Sequence, residues 1–167
     1  MVVRELLYSD KEVFINAMVE SEHFHRPLID SPKTDESFDK YFDTSQSEMN
    51  KTYLAFKDDD LVGVFNISGI IRGCFQSAYL GYCANQKFAG RGLMSVALKL
   101  VLEKIFMELK LHRIEANIQP VNTPSILLVT RNGFIKEGFS QRYLKINNQW
   151  ADHFRFALTY EDWVVNR

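Results

Sequence analysis

The chain has 167 residues, 46% hydrophobic and 25% charged, with 20 lysines and arginines against 21 aspartates and glutamates. That balance excludes a disordered chain and leaves apolar material for one sizeable core, so a single domain over 1–167 is expected. A net charge of −1 gives no bulk attraction to nucleic acid, and no apolar run approaches the roughly 20 residues that span a bilayer. The start Met1-Val2-Val3-Arg4-Glu5 also lacks the basic-then-apolar layout of a secretory signal, so a cytosolic setting without membrane or nucleic-acid contact is expected.

In chain order, residues 2–7 read as a short strand, and Val13, Phe14, Ala17 and Met18 as one face of a helix. Pro27 and Pro32 break the stretch after it, with His23, Phe24 and His25, into a loop. Thr34 is a candidate N-cap for a second helix on which Phe38, Tyr41, Phe42, Ser45 and Met49 keep helical spacing. Strands at 51–57 and 61–67 flank an Asp58-Asp59-Asp60 turn, and Ile70 to Gly73 turns the chain toward a strand at 77–85. The following helix carries Leu93, Val96, Ala97, Leu100, Val101, Ile105 and Leu109 on one stripe, with Met94 and Met107 as core or rim filling. A strand at 112–118 alternates Ile114, Ala116 and Ile118 with polar residues and stops at Pro120. Pro124 suits the first turn of a helix capped by Asn122 or Thr123, with Gly133 just past its end. Antiparallel strands at 134–146 and 153–159, joined through Asn147-Asn148, complete an α/β order.

The run Gln86-Lys87-Phe88-Ala89-Gly90-Arg91-Gly92-Leu93-Met94 leads from a strand into the long helix. Its glycines permit a tight turn and close approach of a ligand, and a helix start presents amides backed by the positive end of the dipole, which suits a pyrophosphate. Ser95 stands where a dinucleotide fingerprint has its third glycine, and the Gly-Lys-Ser/Thr of a nucleotide P-loop is absent, so a nucleotide-binding domain is disfavoured.

Lys87-x-x-Gly90-x-Gly92 resembles the acetyl-CoA loop of the GNAT N-acetyltransferases, whose pattern is Arg or Gln, two residues, Gly, one residue, then Gly or Ala. Lysine in the first place departs from it. Asn122-x-x-Ser125 and Gly133-Phe134 resemble the marks that bracket that superfamily's next helix. Together with the run from Tyr79 to Met94, His112-Arg113-Ile114 and the tail from Asn148 to His153, they resemble the RimJ/RimL family of ribosomal-protein N-terminal acetyltransferases, the RimJ branch most of all. The resemblance is dense from Tyr53 to Trp163 and thin before it.

It implies an α/β (α+β) GNAT fold, a mixed, mostly antiparallel sheet of about six to seven strands with about four helices. It also implies acetyl-CoA as co-substrate, with no metal. Backbone groups of Tyr82, Cys83 and Ala84 would meet the pantetheine and the thioester carbonyl, while Phe88, Ala89, Gly90, Arg91, Gly92, Leu93 and Met94, following Lys87, would take the pyrophosphate. Asn122 would touch the pantetheine arm. Val129 stands where many members have a tyrosine acid, so Ser125 is the candidate that positions or protonates the sulfur, with a hydroxyl bonded to its own helix as the alternative.

Acetylation of an amine by a thioester needs a neutral amine, an oxyanion site and an acid for the leaving thiolate. Glu115 is a candidate base, against an ion-paired surface glutamate. His25 and Tyr143, with Phe24, Gln141 and Trp150, are expected around the acceptor opening. Asp152 and His153 are neighbours on a strand, point to opposite faces and form no dyad; Tyr53, Tyr79 and Tyr143 read as core or sheet-face aromatics. Cys74 and Cys83 lack companions at metal-ligand spacing and read as buried or idle thiols.

The expected function is acetyl-CoA-dependent N-acetylation of a protein N-terminus, a ribosomal protein being the specific acceptor the resemblance implies. A small-molecule amine acceptor and a non-catalytic acyl-CoA-binding module remain open alternatives. Monomer and homodimer are both open.

Overall fold

The computed structural model describes residues 1–26 and 28–166. Pro27, to which the sequence assigns a loop-breaking role, lies outside them. One seven-stranded sheet runs through the fold in the order β1-β2-β3-β4-β5-β7-β6. Its strands are β1 (Val2–Glu5), β2 (Asn50–Lys57), β3 (Asp60–Ile71), β4 (Ser77–Ala84), β5 (Arg113–Ile118), β6 (Ile135–Ile146) and β7 (Gln149–Thr159). Every neighbouring pair is antiparallel except β4 and β5, which run parallel. The helices are α1 (Lys11–Glu20), α2 (Glu22–His25), α3 (Asp35–Ser45), α4 (Leu93–Glu103), α5 (Thr123–Arg131) and α6 (Tyr160–Val165).

The mixed, mostly antiparallel sheet is the one expected, whereas the helices among the described residues number six. The two unforeseen ones are the single turn α2, within the stretch assigned to a loop, and the short α6. Thr159 caps α6 by accepting from the Asp162 amide, a serine/threonine-type cap that was legible in the sequence. β7 begins at Gln149 rather than 153, because the residues after the Asn147-Asn148 turn pair at once with β6. Both asparagines sit at positive φ, the conformation for which asparagine is among the more tolerant residues.

Both faces of the central strands are covered, so β2 reads Tyr53-Leu54-Ala55-Phe56 without polar alternation. Tyr53 and Ala55 join Phe65, Ile67, Val101 and Ile114 in the core under α4, α5 and α6. Leu54 and Phe56 join Phe14, Met18, Phe38, Val64 and Cys83 in a second core under α1 and α3.

α4 departs from the predicted stripe. Its buried residues are Ala97, Leu98, Val101 and Leu102, continued by Ile105 and Phe106, while Val96 is 48% exposed. The helix is apolar on more than one face, so spacing alone allows two stripes, and the sheet takes the one centred on Leu98 and Leu102. The chain then widens into a π-turn at Lys104–Glu108, where the Leu109 amide donates to the Lys104 carbonyl. Met49 lies past the end of α3 and is exposed, because the chain turns after Gln46 to enter β2.

Asp10 is buried just ahead of α1 and accepts two hydrogen bonds from Arg4, at 2.6 and 2.7 Å, and one from the Leu7 amide at 2.8 Å. Burial works to raise the carboxyl, but these donors together hold it below the usual carboxylate range. The stabilisation is therefore complete above the unfolded pKa near 3.9 and is lost as pH falls through the lower folded value. Asp10→Asn is expected to cost about 1–2 kcal/mol at pH 7 and to flatten acid unfolding, measured by denaturant melts at pH 7 and pH 3. No helix among the described residues is long and apolar enough to cross a membrane.

Candidate active site

The site is built on a fork. β3 accompanies β4 as far as Ala84, but β5 pairs with β4 only from Ser77 to Tyr79, opposite Arg113 to Glu115. Beyond Tyr79 the two parallel strands diverge, so the β4 edge from Leu80 to Ala84 has no strand partner on that side among the described residues. That edge includes Tyr82, Cys83 and Ala84, the segment expected to offer its backbone to a thioester arm.

At the open end, Asn85 stops β4 and shapes the next turn. It is buried; its Nδ2 donates to the Leu61 carbonyl at 3.0 Å, and its Oδ1 accepts from the Lys87 amide at 3.0 Å. Ser21 is fully buried and accepts from the Gln86 amide at 3.0 Å. Sequence reading missed both residues. An asparagine directly before a turn is a signal for Asn85, but no local signal links Ser21 to a segment 65 positions later.

Phe88 plugs the turn into the core and is buried. Gly90 and Gly92 have φ of 73° and 75°, the left-handed region open to glycine, and a Cβ on either would meet nothing within 4 Å. The glycines thus supply backbone conformation and leave open space in front of the turn. Gly92 is the N-cap of α4 and has no side chain to cap with, so the first amides of the helix are left for an incoming anion. A turn of this shape and polarity fits a pyrophosphate. Arg91 is exposed beside it, whereas Lys87 is directed to Asp60 at 2.9 Å. Leu93 and Met94 are half-buried against the core, with Met94 lying over Gly63.

Across the fork, Asn122 caps α5, its Oδ1 accepting from the Ser125 amide at 3.2 Å. The sequence left Asn122 and Thr123 open as caps, and the structure selects Asn122. Asn122→Ala is expected to cost about 1 kcal/mol of stability, read from the shift of a thermal or denaturant midpoint. Among the described residues, no hydrogen bond runs from the Ser125 hydroxyl back to its own helix. Tyr82 bridges the fork, its hydroxyl donating to the Ser125 carbonyl at 3.3 Å, and burial pushes the phenol up to about 12. Asn132, also missed, is buried and donates to Ser95 at 3.0 Å and to the Leu128 carbonyl at 2.8 Å, tying the end of α5 to the start of α4. Val129, in the place of the family's tyrosine, is fully buried.

Glu115 lies at the closed end of the fork and accepts from Arg113 Nε at 2.8 Å, while Arg113 also grips Glu137 with both terminal nitrogens. These contacts raise the arginine and hold the Glu137 carboxyl below its usual range. Glu115 is therefore an ion-paired strand residue, the alternative weighed for it. Tyr143 is half-buried, with its ring 6.2 Å from that of His153. Phe24, Gln141 and Trp150 are exposed. Asp152 is exposed and accepts from the Arg142 amide, whereas His153 is buried; they face opposite ways, as strand geometry requires. Tyr53 is a core aromatic; Tyr79 is 42% exposed on the sheet face.

His25 is not the loop residue that the prolines following it suggest. It closes α2, is 5% exposed, and its Nε2 lies 2.7 Å from the Ala84 carbonyl at the tip of β4. Cys83 is buried against Met18, and burial pushes its thiol up to about 12, which leaves it inert; Cys74 is exposed and free.

Residues 1–135 match the family model described as an acetyltransferase (GNAT) domain. The [ribosomal protein uS5]-alanine N-acetyltransferase of Escherichia coli is 43% identical over 110 residues, which are 66% of this chain and 57% of that relative. The chain thus matches little more than half the length of that curated relative. Among solved structures, the ribosomal-protein-S5-alanine acetyltransferase of Vibrio fischeri superposes with a TM-score of 0.85 at 25% identity, covering 96% of this chain and 93% of that one. Mycobacterium smegmatis RimJ in complex with CoA-disulfide superposes with a TM-score of 0.86 at 26% identity, covering 96% and 82%. With its fork, its glycine turn and the match over 1–135, the chain belongs to the acetyltransferase (GNAT) domain family.

Proposed function

We propose that the protein is an acetyl-CoA-dependent N-acetyltransferase acting on the α-amine of a protein terminus, with ribosomal protein as the acceptor class. The observation that carries this is the fork, whose free β4 edge runs straight into an open, left-handed glycine turn at the start of a helix. The acceptor class follows the names of the relatives, two of which are ribosomal-protein alanine acetyltransferases.

In this reading the amides from Gly90 to Met94 hold the pyrophosphate, and the Tyr82 to Ala84 edge holds the pantetheine and polarises the acyl carbonyl. Acetyl-CoA supplies an activated acyl group with a stable leaving thiolate. Asn122 flanks the arm, and Ser125 donates to the sulfur. Glu115, committed to Arg113, orders the closed end of the fork and stands outside the proton path. A cytosolic setting and a single functional unit over 1–167 belong to the same proposal.

Peptides beginning with Ala or Ser, beside a panel of small amines, test the acceptor, with thiol release as the rate and intact mass locating the acetyl group. Acetylation confined to the peptide α-amine is expected. Turnover of small amines alone would move the function to metabolite modification, and cofactor binding without any turnover would leave a non-catalytic module. Ser125→Ala is expected to lower kcat about 10- to 100-fold with little change in acetyl-CoA affinity; a rise in the cofactor constant at unchanged kcat would make the serine a binding residue.

A further inference from the structure

The His25 imidazole is joined to the fork at the tip of β4. Its Nε2 lies 2.7 Å from the Ala84 carbonyl, and a carbonyl only accepts, so Nε2 carries the hydrogen. The other nitrogen, Nδ1, is then a bare lone pair, and it is buried with no hydrogen-bond partner among the described residues. It belongs to a side chain lining a cavity of about 200 Å³ between the end of α1, α2, the 29–33 segment and the β6–β7 turn. An orphaned buried acceptor costs about 1–3 kcal/mol, so its retention beside a cavity points to a donor that arrives from outside.

The segment holding the imidazole is fixed from three sides. His25 donates to β4, Gln119 just past β5 donates to the Leu28 carbonyl at 3.3 Å, and Asn147 in the β6–β7 turn donates to the Arg26 carbonyl at 2.8 Å. It therefore straps the two arms of the fork at their open end and sets the imidazole against the strand tip proposed to hold the acyl carbonyl. Alternation along β5 puts Ile114, Ala116 and Ile118 in the core under α4 and turns Asn117 to the opposite face, where Cys83 meets Met18 of the cavity wall. Asn117 Oδ1 is a second buried acceptor without a partner among the described residues.

We propose that His25 is the general base, its Nδ1 receiving the proton of the acceptor ammonium at the strap; this rests on the function proposed above. Nδ1 takes one proton from the ammonium, and the freed lone pair forms the C–N bond to the thioester carbonyl carbon. The C–S bond breaks with its electron pair leaving on sulfur, which takes the second amine proton through Ser125, and the imidazolium returns its proton to solvent. The charged groups facing the cavity are Glu22 of α2 and Arg26 just past its end, with Asp30 and Lys33 of the following segment. They balance: Lys33 lies 3.0 Å from Glu22 and 3.3 Å from Asp30, and Arg26 lies 3.9 Å from Glu22. Burial lowers the imidazole below its ordinary value, the bond to Ala84 opposes this, and Lys33 lowers it further, so the base form is the one present at neutral pH.

The test is His25→Gln, which keeps a donor able to reach Ala84 but has no proton-accepting nitrogen. Acetyl-CoA affinity is expected to stay within about twofold, while kcat/KM for an Ala-peptide at pH 7 falls about 100-fold or more. Wild type is expected to hold its rate down to pH 6.5. The variant should instead rise about tenfold per pH unit toward the α-amine pKa near 7.7–8.0, as solvent deprotonates the amine in its place. Nitrogen-15 NMR of the wild-type imidazole should show hydrogen on Nε2 and a bare Nδ1 from pH 6.5 to 8. A variant within threefold of wild type with the same pH profile, lost cofactor binding in the variant, or hydrogen on Nδ1 overturns the assignment. A wild-type chain that acetylates no amine overturns the proposed function as well, so the two failures are distinguishable.

Discussion

Gly92→Glu is expected to weaken acetyl-CoA binding more than about 100-fold, or about 2.7 kcal/mol, while leaving the fold in place. The glycine sits at φ 75° as the N-cap of α4, and no atom lies within 4 Å of where its Cβ would stand. A side chain there meets only the conformational cost of the left-handed region, about 1–2 kcal/mol. It would project into the open space in front of the turn and place a carboxylate against the uncapped amides that are to hold a pyrophosphate. Gly92→Ala separates the contributions, since it carries the backbone cost without the charge and should lose far less affinity. Calorimetric titration of both variants is the check; unchanged affinity in the glutamate variant would remove the phosphate site from this turn.

Phe65→Ala is expected to cost about 3–5 kcal/mol of stability, a large share of what a domain of this size possesses. Phe65 is fully buried near the middle of β3, between the two strands that carry Tyr53 and Tyr82, and its ring centroid lies 6.1 Å from that of Tyr82. Tyr82 is the side chain that spans the fork to Ser125. The cavity left by the substitution would loosen that bridge as well as the core, so the loss in denaturant midpoint should be accompanied by weaker acetyl-CoA binding. A loss of stability with undisturbed cofactor affinity would show that Tyr82 is held from elsewhere.

The elements with plain periodicity or caps were legible in the sequence. Thr34 caps α3, Gly133 stands past α5 at positive φ, and Ile114, Ala116 and Ile118 face the core as alternation requires. The glycine turn was legible because left-handed backbone leaves a compositional mark. Val96 misled because α4 is apolar on more than one face, so the choice of stripe belongs to the sheet it packs on and not to the helix. Ser21, Asn85 and Asn132 hold the site through contacts with distant segments, and a buried polar residue looks the same in sequence as an exposed one. His25 is the sharpest case. Prolines nearby suggest an exposed loop, yet a single helical turn carries the imidazole into the fold and onto the tip of β4.

Titrating acetyl-CoA into nitrogen-15-labelled protein and following the backbone amides tests the cofactor site most directly. The largest shifts are expected at 82–84, 90–94 and 122–125, the edge of β4, the start of α4 and the cap of α5, with β1 and α3 nearly still. Saturable binding whose shifts fall elsewhere, or no binding at all, would contradict the assignment of the fork and its glycine turn as the acetyl-CoA site.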